Sequence, residues 1–357
     1  MRKGLILIGS MVAICTIHAC RKKDTQTPTE TYSPTAISVT VPSYVAKYVG
    51  NMPMSGSNPM SAEGAELGRK LFYDKTLSND MTISCASCHK QENAFDDPRP
   101  FSKGTNGSFG DRNAMAIINL GWNTRFFWDG RRASLEGQAH DPVTNPIEMA
   151  NNWPEVVKRL QSNTVYPDLF FKAFGTRTID SNLVVNAIAQ FERTLVSFNS
   201  RFDHFYFEGD STALTAQEQR GLAIFVGDGK CKNCHLMNTL FTDHEFRNNG
   251  LDANPKDDGL MKFTGNAADK GKFKVPTLRN IAVTAPYMHD SRFSTLKEVV
   301  DFYSSKIQQT SPNLDEHMPE FGSGLNLTTQ QKADLVAFLK SLTDEDFLKN
   351  PKFSDPN

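Results

Sequence analysis

The pentapeptide C-x-x-C-H occurs twice in this chain, as Cys85-Ala86-Ser87-Cys88-His89 and as Cys231-Lys232-Asn233-Cys234-His235. Two thiols at that spacing reach the two vinyl groups of one haem while the adjacent imidazole meets the iron, so the pattern reads as a c-type haem attachment site. One copy alone could be chance or half a zinc site. Two copies, using four of only six cysteines, point to two covalently held haems c with His89 and His235 as iron ligands. A chain of 357 residues is long enough for two domains, each able to enclose its own haem.

The remaining cysteines agree with that reading. Arg2 and Lys3 precede an apolar run at 5–17 and then Ile17-His18-Ala19-Cys20. The run is too short to span a bilayer and ends at a small residue before a cysteine, which resembles a bacterial lipoprotein signal cleaved ahead of Cys20. Residues 1–19 are therefore expected to be a signal peptide and Cys20 a lipid anchor, with ordinary signal cleavage nearby as the other reading. Both place the protein outside the cytoplasm, on the periplasmic side, with the membrane reached only through the anchor. Cys15 falls in the removed segment, so no pair is left for a structural disulfide. Lys plus Arg number 39 and Asp plus Glu 40, a balance that argues against nucleic acid as a partner.

Residues 20–42 are rich in Thr, Pro and Lys without periodicity and read as a flexible tether. Helical spacing starts at 61–73 and returns at 154–160, 166–174, 183–198, 295–303 and 329–342. Thr215 with Glu218 and Thr328 with Gln331 stand at capping-box spacing. The approach to the first motif, Glu66-Leu67-Gly68-Arg69-Lys70-Leu71-Phe72, is echoed before the second by Gln219-Arg220-Gly221-Leu222-Ala223-Ile224-Phe225. The expected fold is mainly α with very little strand: a first cytochrome c-type haem domain at 43–205, a second at 206–347, and a tail at 348–357.

Further motifs follow in order: Gly110-Asp111-Arg112-Asn113, Phe126-Phe127-Trp128-Asp129-Gly130-Arg131, Gln138, Pro142, Glu148-Met149, Val275-Pro276-Thr277-Leu278-Arg279-Asn280 and Thr284-Ala285-Pro286-Tyr287-Met288-His289-Asp290. With the two haem motifs, this series resembles the bacterial dihaem cytochrome c peroxidase family, and more closely its MauG-like branch, over roughly residues 60–345. The resemblance implies a peroxide-reactive haem in the first domain and an electron-supplying haem in the second. It implies that Trp128 lies between them as a relay, the alternative being a core aromatic. Gln138 and Glu148 match the residues over the first haem. A carboxylate there suits the proton transfers that peroxide cleavage needs, and burial would raise its pKa. Asn113, Thr284 and Pro286 match positions that bind one calcium ion, and oxygen donors are what calcium prefers; read alone, Asn113 would cap a turn. Arg112 and Arg279 are candidates for haem propionates, an ion pair with a nearby Asp being equally expected.

Two features depart from the ordinary peroxidase pattern. The loop at 91–113 contains no His, so the first haem is expected to be five-coordinate or water-ligated at rest. At the position where ordinary members carry a Met ligand to the second haem stands Tyr303, which would favour oxidised iron; the other reading is a core tyrosine with Met288 or Met318 as ligand. The resulting expectation is a cytochrome-c peroxidase-type oxidoreductase, reducing hydrogen peroxide with electrons that enter at the second haem from a small redox protein, a cytochrome c or cupredoxin. The alternatives are a MauG-like oxidase that uses a high-valent dihaem state to oxidise a partner protein, and a dihaem electron carrier. Gln138 and Glu148 argue against the carrier, which has no need of a distal acid and base.

Overall fold

The computed structural model describes residues 1, 30–237, 240–318 and 324–356. The expected signal peptide, its Cys20 and the first part of the tether lie outside the described residues. Residues 33–357 form one compact unit. Among the described residues it holds twelve α-helices: α1 Ser43–Tyr48, α2 Ala62–Tyr73, α3 Leu135–Thr144, α4 Trp153–Ser162, α5 Tyr166–Phe174, α6 Ser181–Thr194, α7 Arg201–Tyr206, α8 Ala216–Val226, α9 Met261–Thr264, α10 Leu296–Ser305, α11 Thr329–Lys340 and α12 Glu345–Lys349. Two two-residue strands, β1 Phe246–Arg247 and β2 Phe273–Lys274, pair antiparallel. The fold is mainly α, and among the described residues no helix is long and apolar enough to cross a membrane.

Two helix pairs carry the two largest cores. In the first, α2 crosses α6, and Leu67, Leu71 and Phe72 pack with Ala187, Ile188 and Phe191. In the second, α8 crosses α11, with Phe225 against Leu335, Phe338 and Leu339. Glycine permits both crossings. A Cβ on Gly68 would stand 1.8 Å from the Ala187 carbonyl oxygen, and one on Gly221 2.0 Å from that of Asp334, so any side chain there would force the helices apart. α8 and α11 start at the capping boxes expected from the sequence, Thr215 with Glu218 and Thr328 with Gln331.

The internal repeat runs much further than the approach helices. Asn119 and Asn280 both adopt left-handed backbone and each opens a 3₁₀ turn. Each is followed by a bridged loop, closed by Phe126 N to Arg132 O (2.9 Å) in one copy and Tyr287 N to Phe293 O (2.7 Å) in the other. Each loop then enters a helix, α3 or α10, behind an N-cap hydroxyl, Ser134 or Thr295. The two copies meet at Ser197, which is wholly buried: its backbone N donates to Asn119 Oδ1 (2.9 Å), and its Oγ accepts from Asn280 Nδ2 (2.9 Å).

That node explains where α6 stops. Helical spacing predicts continuation to 198, yet α6 ends at Thr194, because Leu195 gives its carbonyl to Asn119 N (2.8 Å) and Ser197 is held by the two asparagines. Residues 345–356, whose end was expected to be a tail, turn back onto the first half. Phe347, Leu348 and Phe353 join the first core, and Arg69 donates to the carbonyls of Pro351 and Ser354.

Candidate active site

Both C-x-x-C-H segments form a 3₁₀ turn whose histidine N–H returns to the first cysteine's carbonyl at 2.9 Å. Six residues on, the chain places a carbonyl beside each imidazole: His89 Nδ1 lies 2.7 Å from Phe95 O, and His235 Nδ1 lies 2.9 Å from Phe241 O. A carbonyl only accepts, so Nδ1 carries the proton and Nε2 keeps its lone pair, the arrangement in which imidazole ligates a metal. Phe95 and Phe241 are wholly buried and both have positive φ, 57° and 55°, uncommon for a bulky residue and here tied to aiming the carbonyl at the ring. Burial holds both imidazoles below the ordinary histidine range, hence neutral.

All four cysteines and both histidines border one cavity of about 740 Å³. Its walls are largely apolar, with Ile117, Ile188 and Met149 in the first half and Val300, Leu335 and Leu339 in the second. Two buried polar atoms of its lining, Gln138 Oε1 and Glu192 Oε2, have no hydrogen-bond partner among the described residues. An apolar slot flanked by a pair of thiols and one Nε2, repeated twice, fits two haems c.

The first half supplies Gln138 from α3 and Glu148 from the loop after it. Glu148 Oε1 accepts from Asn145 Nδ2 (2.6 Å), and burial raises its pKa above the ordinary carboxylate range, opposed by that hydrogen bond and by Arg131. The second half supplies Tyr303 from α10. Its phenol accepts from Asn249 Nδ2 (3.0 Å), and burial pushes its pKa up to about 12. Met288 and Met318 border the same cavity, so all three side chains weighed as ligands stand on one wall. In the repeat, α3 and α10 correspond such that Pro142 occupies the place of Tyr303 and Gln138 that of Val299.

Trp128 borders the cavity and donates from Nε1 to the Asn113 carbonyl (2.9 Å). Its rings neighbour two aromatic groups, Phe273 and His289, which stack on each other at 3.8 Å. His289 was not expected at the site, although the repeat marks it as the counterpart of Trp128. The signal was present as a common pattern, Asn119, Asp129, Arg131, Ser134 and Leu135 at the same spacing as Asn280, Asp290, Arg292, Thr295 and Leu296. Asn113, Thr284 and Pro286 also line the cavity. Asn113 gives Nδ2 to the Pro100 carbonyl (3.5 Å), and no cluster of three or more His, Cys, Asp or Glu accompanies them among the described residues.

The two arginines expected at propionates carry carboxylates of the chain itself, the other reading of the sequence. Arg279, fully buried, makes a bidentate pair with Asp203 (3.0 and 3.0 Å). Arg112 grips Asp257 (2.7 and 2.8 Å) and Asp129 (2.7 Å). Arg112 still borders the cavity, where Asn113 follows it.

A mainly helical chain with duplicated helix crossings, each presenting a C-x-x-C-H turn to a shared cavity, is a two-module c-type cytochrome architecture. Comparison with known proteins narrows this. The family model for di-haem cytochrome c peroxidase matches residues 62–212. The chain is 37% identical over 298 residues to the methylamine utilization protein MauG of Methylorubrum extorquens, covering 83% of this chain and 82% of that one. It is 36% identical to the cytochrome c551 peroxidase of Nitrosomonas europaea, covering 82% and 84%. A solved MauG-like protein associated with microbial copper homeostasis superposes with TM-score 0.77 at 39% identity, over 87% of this chain and 97% of that one. The chain belongs to the di-haem cytochrome c peroxidase family, and is an oxidoreductase with two haems c.

Proposed function

We propose that this protein is a peroxidase that reduces hydrogen peroxide to two waters, consuming two electrons and two protons, with electrons delivered at the second haem by a small redox protein, a cytochrome c or cupredoxin. The observation that carries the reading is the asymmetry between the repeats: Gln138, Glu148 and the non-ligating Pro142 stand in the first half where Val299 and Tyr303 stand in the second. Cys85, Cys88 and His89 hold the first haem; Cys231, Cys234, His235 and Tyr303 hold the second. When bound, the haems supply the redox-active iron on which the reduction depends. Glu148, buried and raised in pKa, takes a proton from one peroxide oxygen and returns it to the other. Gln138 offers its unpaired Oε1 to a peroxide O–H, fixing orientation without adding charge. Trp128, hydrogen-bonded at the seam of the two repeats, is the electron relay.

Asn113, Thr284 and Pro286 form a calcium site of neutral oxygen donors. The two haem domains divide at about residue 205, and the protein is exported through its first 19 residues and anchored at Cys20. A second reading, oxidation of a residue on a partner protein, is favoured by Tyr303 and by the similarity to MauG. Stopped-flow mixing with hydrogen peroxide, with and without reduced cytochrome c, separates the two. Turnover that consumes cytochrome supports the peroxidase; a long-lived oxidised state with little turnover supports the partner oxidase; no reaction overturns both. Tyr303→Phe should change only the second haem's spectrum, and an unchanged spectrum removes Tyr303 as ligand.

A further inference from the structure

The repeats are cross-tied by two matching hydrogen bonds. Asn113 N donates to the His289 carbonyl (2.8 Å), and Lys274 N donates to the Trp128 carbonyl (2.9 Å). Counted back from Asn119 and Asn280, Asn113 and Lys274 occupy the same place; counted forward, so do Trp128 and His289. Each half therefore sends one residue across to the other half's aromatic. Where one tie carries a carboxamide, the other carries an ammonium.

The Lys274 side chain is only 5% exposed and borders the cavity. No described residue forms a hydrogen bond or ion pair with its Nζ. Two arginines that line the cavity differ in this respect: Arg112 has Asp129 and Asp257, and Arg247 has Asp243 and Asp315. Burial by itself holds the Lys274 amine down at about 8. A buried ammonium with no counter-ion is costly unless an anion accompanies it. Haem brings two carboxylates per macrocycle, and the arginines expected to meet them are already paired. Lys274 also sits in the second half's own wall: β2 pairs with β1, and the next carbonyl, Val275 O, accepts from Thr242 Oγ1 (2.6 Å) in the loop after His235.

We propose that Lys274 Nζ is the ion-pair partner of a propionate carboxylate on the second haem, a fixed cation at the position where the first half presents Asn113. The proposal rests on the two-haem reading, and the haem content of the wild type tests that reading separately. In the full-length holoprotein, Lys274→Met removes the charge at similar length, and Lys274→Arg keeps it. Each haem's midpoint potential is read by spectroelectrochemical titration, with haem content measured alongside. Losing a nearby positive charge favours oxidised iron. Lys274→Met should shift the second haem's oxidised-to-reduced ratio about tenfold toward oxidised, about 60 mV for one electron. The first haem should move far less, and Lys274→Arg should restore the second haem close to wild type. Loss of haem from the Met variant, with retention by the Arg variant, also supports the pairing. Unchanged potentials in a fully loaded Met variant overturn it, as does loss of haem from both variants, since arginine supplies the same charge.

Discussion

The two halves of this molecule share a scaffold and differ where chemistry is done. Helix crossings on a glycine, histidines tied to a phenylalanine carbonyl, and left-handed asparagines opening matching loops recur in both. The differences lie along the cavity. By repeat register, Gln138 corresponds to Val299, Pro142 to Tyr303, Trp128 to His289 and Asn113 to Lys274. On the closing helices, Glu192 of α6 takes the place of Leu339 of α11. Backbone geometry was conserved between the copies because it positions a ligand. The cavity lining differs, and under the proposed function that difference separates an iron open to substrate from one closed by a side chain.

The largest effect expected is on the first half alone. Glu148→Gln keeps the shape but cannot accept a proton, so the peroxide rate should fall about 10²–10⁴-fold with both haems bound. Because burial raises the Glu148 pKa, the wild-type rate should rise with pH through a limb above the ordinary carboxylate range, and the variant should lack that limb. A variant of undiminished rate would abolish the proposed asymmetry.

Two buried carboxyls should respond to pH in opposite senses. Asp203 would be raised by burial, but Arg279 and Ser200 hold it below its ordinary value. It binds fewer protons folded than unfolded, so its stabilisation is complete above about pH 4 and fades as pH falls through the depressed pKa. Asp203→Asn, which strands Arg279, should cost about 3–5 kcal/mol at pH 7, with the deficit shrinking below pH 4 in denaturant titrations. Glu192 behaves inversely, its pKa pushed up to about 8 by burial. Folding takes up a proton there, so wild-type stability falls relative to Glu192→Gln between about pH 4 and 8, by about 1.4 kcal/mol per pH unit at most. Parallel pH profiles for wild type and Glu192→Gln would contradict this placement in the cavity.

The smallest effect tests the shared scaffold. Gly68→Ala and Gly221→Ala should each destabilise by about 1–3 kcal/mol through overpacking, read by thermal or denaturant unfolding. Similar costs are expected because the two crossings are alike. A difference of several kcal/mol would show that the halves do not bear on stability equally.

Local features were legible from the chain. Each haem motif closes its own turn within five residues, and the capping boxes of α8 and α11 place helix starts through side chains three positions apart. The low strand content and mainly α class followed from the same short-range periodicity. Residues 195–198 continued the helical pattern and yet left the helix, because hydrogen bonds to Asn119 and Asn280, distant in sequence, outweigh one more helical turn. Arg112 and Arg279 could be named as cations but not assigned, since their partners Asp257 and Asp203 lie 145 and 76 positions away.

His289 and Lys274 were passed over although the repeat marks both. A one-residue match carries no weight until the two copies are seen tied to each other. The sequence by itself determined the cofactor motifs, the helical class and most helix starts, because these depend on neighbours a few residues apart. Tertiary structure alone decided which charges are already neutralised, where α6 ends and which side chains share the cavity, because those depend on burial and on partners brought together only by folding.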